Sequence, residues 1–471
     1  MEQERRRTYV ADIKRGVYDI KDEVDAGYTT GKGLNEDVVR RIAKQKNEPD
    51  WMLDIRLEGL RVFNAKPMPT WSADLTELDM DEIINYLEPN AKKMSDSWDD
   101  VPSYIKNTFD RLGIPEAEKK SLGGVGAQYD SSVVYHKLTK ELEEQGIIYT
   151  DIETAVKKYP DIVKKYFMQL IKIDDHKFSA LHAAVWSGGT FLYVPKGVKV
   201  EKPIQSYFRL NAPEAGQYEH TIIIVEDDAD IHFIEGCSAP KYNKNVVHAG
   251  AVELYIGKRA RLRYSTIENW SRNMYNLNTK RAIVDADGVI EWISGSFGSK
   301  VSMLYPMSIL KGERSRCEYT GVTFAAAGQY LDTGCKTIHA ASNTSSKVKA
   351  KSISKNGGWC GYRSLLKVLP GVKRVKATAE CESLMLDDMS KSDTIPTIVA
   401  NTDDIDIGHE ASIGRISDEA IFYLMQRGLT ADEAKAMIIR GFVEPISKEL
   451  PLEYAVELNR LIEIELEGTI G

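Results

Sequence analysis

From about residue 180 to residue 407 the chain runs as short β-branched and aromatic segments cut by small turns rich in Gly, Asp and Asn. The turn centres Gly197, Asp227, Gly257, Asp287, Gly312, Asn343, Gly371 and Asp403 are spaced by 30, 30, 30, 25, 31, 28 and 32 residues. No motif repeats with this beat. A β-sandwich also alternates strand and turn, but its turns come about every 8–12 residues. A longer period held over eight turns suits a solenoid, whose coils each contribute two or three strands to continuous sheets. The expected fold is therefore mainly β, a parallel β-helix core.

Both flanks of this core read as helical. Residues 1–175 form a mostly helical, charge-rich region: Leu34 to Lys46 carries Val38, Val39 and Ile42, and Leu53, Leu57 and Leu60 make a second stripe. A further helix is expected over Ile152 to Phe167. The segments KPMPTW and SLGGVGAQYD break the helical period and read as exposed or conformationally special loops. The β-helix is assigned to 176–412 and a C-terminal helical unit to 413–471. There Ser417 caps a helix to Gln426 that is apolar nearly all round (Ile421, Phe422, Leu424, Met425) and so expected to be buried. Thr430 and Glu433 form a capping box for a second helix, and Pro451 opens a third that carries Leu452, Ala455, Leu458 and Ile462. This unit is expected to close the solenoid's end, either as a structural cap or as a docking platform.

Composition narrows the function. Lysine plus arginine total 62 against 70 acids, a net charge of -8 that argues against a nucleic-acid partner. The opening MEQERRRTYV has no apolar run behind it, and nothing reaches the roughly 18 apolar residues of a membrane span. Five cysteines (Cys237, Cys317, Cys335, Cys360, Cys381) are an odd number, which fits reduced thiols. A cytoplasmic protein is expected.

Chemistry is hard to place locally. There is no GxxxxGK[ST], so no nucleotide is expected on this chain, and no HExxH, GxSxG or CxxC occurs. In a solenoid, however, residues one period apart become neighbours. Cys381 and His409 are 28 apart, and thiolate, imidazole and the carboxylate of Glu410 are all plausible iron ligands. Each also has a plain reading: Cys381 as a small apolar filler, His409 and Glu410 as a solvated strand end.

Several segments, in order, resemble the SufB family of iron–sulfur cluster assembly scaffolds in the SUF system: EPDWMLDIRLEGLRVF, GVGAQYDSSVVYHKL, WSGGTFLYVPKGV, YFRLNAPEAGQYEHTIIIVED, FIEGCSAP, ENWSRNMYNLNTKRA, GHEASIGRISDEAIFYLMQRGL and ELPLEYAVELN. The resemblance implies a non-enzymatic scaffold with a right-handed β-helix, a transient iron–sulfur cluster and no nucleotide of its own. It implies docking of a SufC-like ATPase through the C-terminal helices, pairing with a SufD-like paralogue or as a homodimer, and sulfur from a cysteine desulfurase. Neither nucleic acid nor membrane is implied. Carried over by residue, the cluster site falls on Cys381, His409 and Glu410. An interior sulfur path begins at Cys237 and passes Arg209, Asn211, Trp270 and Lys280, with Glu268 where the family leads one to expect glutamine. The alternatives are a SufD-type subunit, a β-helix carbohydrate-active enzyme, which should carry clustered acids and a secretion signal, and a purely structural protein.

Overall fold

The computed structural model describes residues 19, 21–22, 26–242, 244–448 and 460–462. It is mainly β: a parallel solenoid of about 8 turns flanked by helices. Its two faces are a ten-stranded and a thirteen-stranded sheet. On the first, parallel register carries Asp230 onto Arg261, Val289, Arg316, Ser345, Lys376 and Asp406, steps of 31, 28, 27, 29, 31 and 30 residues. All eight turn centres fall at one corner, between a strand of the thirteen-stranded sheet and the next strand of the ten-stranded one.

The corner explains the missing motif. Seven of the eight corners share a residue with positive φ and not a residue type: Gly197, Asp228, Arg259, Asp287, Arg314, Asn343 and Arg374 serve alike. The exposed arginines reach back one coil: Arg259 to Asp228 and Arg314 to Asp287, both at 2.6 Å, and Arg374 to Asn343 at 2.6 Å. Early coils split their thirteen-sheet strand, as Met274–Asn276 and Thr279–Val284 or Val301–Leu304 and Met307–Leu310; later ones run straight, as Tyr330–His339. The bore is filled by inward residues such as Ile231, Leu262, Ile290, Tyr319 and Val348.

The helical flanks differ from the sequence reading in five ways. SLGGVGAQYD is no exposed loop: Gly124–Tyr129 is a buried strand pairing with Ile204–Arg209 and Ser132–Leu138. Its glycines answer to packing, since a Cβ on Gly126 would sit 2.7 Å from the Tyr149 hydroxyl. Pro160 splits the helix expected over Ile152 to Phe167 into Ile152–Lys158 and Pro160–Tyr166. The sheets thus begin before residue 176, and a helix, Lys177–Val185, lies after it. The helix Asp418–Met425, capped by Ser417 as expected, buries only Ile421 and leaves Phe422 61% exposed.

Most consequentially, the described part of the C-terminal unit lies on the solenoid's flank and not over its end. The helix Ala431–Ser447, with the expected Thr430–Glu433 capping box, packs Ile439, Val443 and Ile446 against Ile267, Phe297, Val322, Phe324 and Ile353. By strand alternation these are the outward side chains of the ten-stranded sheet, an apolar column that draws the helix to the flank rather than the end. Leu461 and Ile462 join this cluster; the rest of the third expected helix lies outside the described residues. No described helix is long and apolar enough to cross a membrane.

Buried polar groups tie the flank to the core. Glu253 on the thirteen-stranded sheet accepts the backbone N–H groups of Met168, Leu170 and Ile171 at 2.6, 2.5 and 3.0 Å, and faces His220, which bonds His182 at 2.8 Å. Burial pushes six histidines below their ordinary value: His136, His176 and His339 to about 4, His220 and His232 to about 3, and His182 well below. Below pH of about 6.5 the unfolded chain binds protons that the folded chain refuses, so stability is complete above that pH and lost as it falls toward 3–4. The urea midpoint should therefore drop steeply between pH 7 and pH 4.5; a flat profile would mean that these rings are charged in the folded state.

Candidate functional site

The last two strands of the ten-stranded sheet are Val375–Met385 and Ile405–Arg415, in register Ala379↔His409 and Cys381↔Ala411. Residues two apart on neighbouring strands share a face. Cys381 and His409 therefore meet inside the bore, Sγ to Nε2 at 3.8 Å. Burial, partly offset by the Tyr362 hydroxyl, pushes the Cys381 thiol up to about 12. That keeps it a thiol until a base takes the proton or a bound cation displaces it to solvent. His409 is half-buried, and a cavity of about 30 Å³ beside it is lined by Cys335, Tyr362, Ala379, Ile398 and Ile407.

Glu410 pairs with Glu380, so alternation turns it to the outer face, where it is exposed. The three residues expected at one site are thus a pair plus a carboxylate on the opposite side of the strand. Among the described residues no three His, Cys, Asp or Glu side chains gather as a metal cage.

Among the described residues the pair lies at an open edge: Ile405–Arg415 and Lys391–Val399 each pair with a strand on one side only. Ile395, Ile398, Val399 and Ile413 are exposed there, Ile398 to 50%. Unpaired strands carrying apolar side chains form a surface that another chain can extend.

The residues of the expected sulfur path separate into two groups. Cys237 and Glu268 are neighbours on adjacent strands inside the bore. Lys280 donates to Glu235 at 2.8 Å and to Thr266 at 3.1 Å and stands 3.6 Å from Glu268, which accepts from Asn276 at 2.7 Å. Burial disfavours the Lys280 cation, but Glu235 and Glu268 outweigh it and hold the lysine above its ordinary value. Glu219 and Glu268 do the same for His248. Burial together with Glu235, Glu219 and Glu268 pushes the Cys237 thiol far up, against the pull of Lys280. Trp270 packs with Cys237 and Phe208.

Arg209 and Asn211 are elsewhere. Arg209 alternates with Phe208 and faces outward with Tyr207, both bonding the Ser238 hydroxyl at 3.1 Å. Asn211 exchanges hydrogen bonds with the backbone of Asp22. Both are buried near Asp22 and not in the bore. Sequence reasoning missed Glu235, Glu219 and His248; only the coil register, which places Glu235 one residue pair from Cys237 on an inward face, could have flagged them.

Comparison with known proteins agrees with this architecture. Residues 208–442 match the family described as SUF system FeS cluster assembly, SufBD core domain, and residues 127–206 match the SufBD protein N-terminal region. An iron–sulfur cluster assembly SufBD family protein of Staphylococcus aureus (strain MRSA252) is 49% identical over 462 residues, covering 98% of both chains. A counterpart from Staphylococcus haemolyticus (strain JCSC1435) is 48% identical over the same share. With relatives this similar over nearly their full length and both family regions in order on one solenoid, the chain belongs to the SufBD family of iron–sulfur cluster assembly proteins.

Proposed function

We propose that the chain is the SufB-type scaffold on which a nascent iron–sulfur cluster is built, with Cys381 and His409 as its own iron ligands. The observation that carries this reading is the Cys381–His409 contact of 3.8 Å at an open solenoid edge. One thiolate and one imidazole leave most of the coordination to sulfide and to a second chain, a SufD-like paralogue or another copy, which the edge strands are free to receive. Few protein ligands also favour release, which a scaffold requires. Glu410 serves as an outer-face carboxylate near incoming iron rather than as a third member of the pair. Cys237, set among Glu235, Glu268 and Lys280, takes sulfur delivered from a cysteine desulfurase.

The ATPase partner docks on the helices Asp418–Met425 and Ala431–Ser447, where Phe422, Tyr423, Met425 and Met437 are exposed at 61%, 53%, 43% and 51%. An apolar patch of this kind commonly marks an interface. Anaerobic copurification with a SufC-like ATPase and a SufD-like chain, followed by iron and sulfide analysis, tests the assembly. Phe422→Asp should abolish ATPase capture at unchanged thermal stability, because that side chain supports little of the fold. Full capture by this variant would move the docking site elsewhere.

A further inference from the structure

Two coils behind Cys381 the bore holds another pair of sulfurs. Cys317 lies on Arg316–Ala325 of one sheet and Cys335 on Tyr330–His339 of the other, so a single coil presents both across its interior. All five cysteines are free and buried, and these two share one core cluster, close enough across the bore for each to bias the other's ionisation. The Ser308 hydroxyl is 3.2 Å from Cys317 Sγ and accepts from Trp292 Nε1 at 2.9 Å, which leaves its O–H to donate to an ionised sulfur. Thr337 stands beside both thiols and favours their ionised forms.

An anionic sulfur on Cys317 therefore meets three donors, whereas one on Cys237 meets three carboxylates. The Cys335 hydrogen bond, against burial and with help from Ser308 and Thr337, holds the Cys317 thiol below its ordinary value. Its partner Cys335 is held above by the same contact and by burial. The arrangement sets a thiol whose ionised form is favoured beside one that can resolve a persulfide formed on it. The cavity at the last coil is lined by Cys335, Thr337, Tyr362 and His409, so Cys335 of the pair borders the space beside His409.

We propose that Cys317 and Cys335 form a dithiol that reduces sulfane sulfur to sulfide inside the solenoid, beside the site of cluster building. The proposal rests on the scaffold reading: sulfur handed on as a persulfide is at the sulfane level, whereas a cluster holds sulfide, and two electrons separate them. In the first step Cys317 thiolate attacks the outer sulfur of a persulfide R–S–SH. The R–S bond to that sulfur breaks, R–S⁻ leaves, and Cys317–S–SH forms with the proton on the outer sulfur. Cys335 passes its proton to R–S⁻, and its thiolate attacks the inner sulfur. The Cys317–Cys335 disulfide forms and HS⁻ departs, so the dithiol is oxidised by two electrons as the sulfur is reduced by two. A cellular dithiol reductant resets the pair by thiol–disulfide exchange.

The test uses the full chain, reduced and freed of reductant under anaerobic conditions, then mixed with inorganic polysulfide as the sulfane source. Released hydrosulfide is measured, and alkylated peptides are read by mass spectrometry. Wild type should yield a Cys317–Cys335 linked peptide and one hydrosulfide per disulfide above the level of the variants. Cys335→Ser should stop with an extra sulfur on Cys317 and no excess hydrosulfide, and Cys317→Ser should show neither product. Serine keeps the size of the site, and melting profiles check the fold of each variant. Absence of the linked peptide in wild type, or equal hydrosulfide release by Cys335→Ser, overturns the proposal. Cys381→Ala should keep this dithiol chemistry while its cluster content reports separately on the scaffold reading, so the two can fail independently.

Discussion

Replacing Cys381 with alanine is expected to abolish cluster assembly while leaving the fold in place. The side chain is buried in the bore of the next-to-last ten-sheet strand, and its loss opens a thiol-sized gap costing about 1–2 kcal/mol, small for a core of this extent. The chemical loss is larger, because Cys381 is the thiol within reach of His409 at the open edge. Anaerobic reconstitution with iron and sulfide should give no iron–sulfur absorption and background iron, with a nearly unchanged melting curve. Full cluster content in this variant would remove Cys381 from the site and favour the SufD-type alternative.

Lys280→Met should instead strike the fold. The variant leaves Glu235 and Glu268, 2.8 and 3.6 Å from the lysine nitrogen, without that cation in a water-poor interior. Breaking a buried ion pair by removing one partner costs about 3–5 kcal/mol. Glu268→Gln is the contrast: it removes the acid whose Oε1 has no hydrogen-bond partner and leaves Lys280 paired one-to-one with Glu235. This second variant should be neutral or slightly stabilised. Urea unfolding of both at neutral pH checks the ranking, and equal stability of Lys280→Met and wild type would refute the charge account.

Local residue chemistry determined the period, the strand-and-turn texture and the caps. Gly, Asp and Asn gather where a coil turns, so all eight turn centres could be read along the chain even where the positive φ falls on a neighbour such as Asp228 or Arg259, as could Ser417 and the Thr430–Glu433 box. The approach of Cys381 and His409 was also within reach, since one coil is close to their separation of 28 residues, although the turn offsets alone matched poorly. The register supplied the missing step by pairing His409 with Ala379, two residues from the thiol.

Tertiary structure alone decided which face each residue serves and what covers it. A shift of one position moves a strand residue to the opposite face, which is how Glu410 leaves the pair it adjoins and Arg209 leaves the bore that Phe208 enters. The apolar column on the outer sheet, assembled from strands about 30 residues apart, drew the helix Ala431–Ser447 to the flank, so that among the described residues the last coil stays open. The same stacking across the bore brought Cys317 to Cys335 and Glu235 to Lys280, 18 and 45 residues apart in sequence. Spacing along a chain records the repeat of a solenoid, but inward and outward faces and contacts across the bore arise only when the coils close on one another.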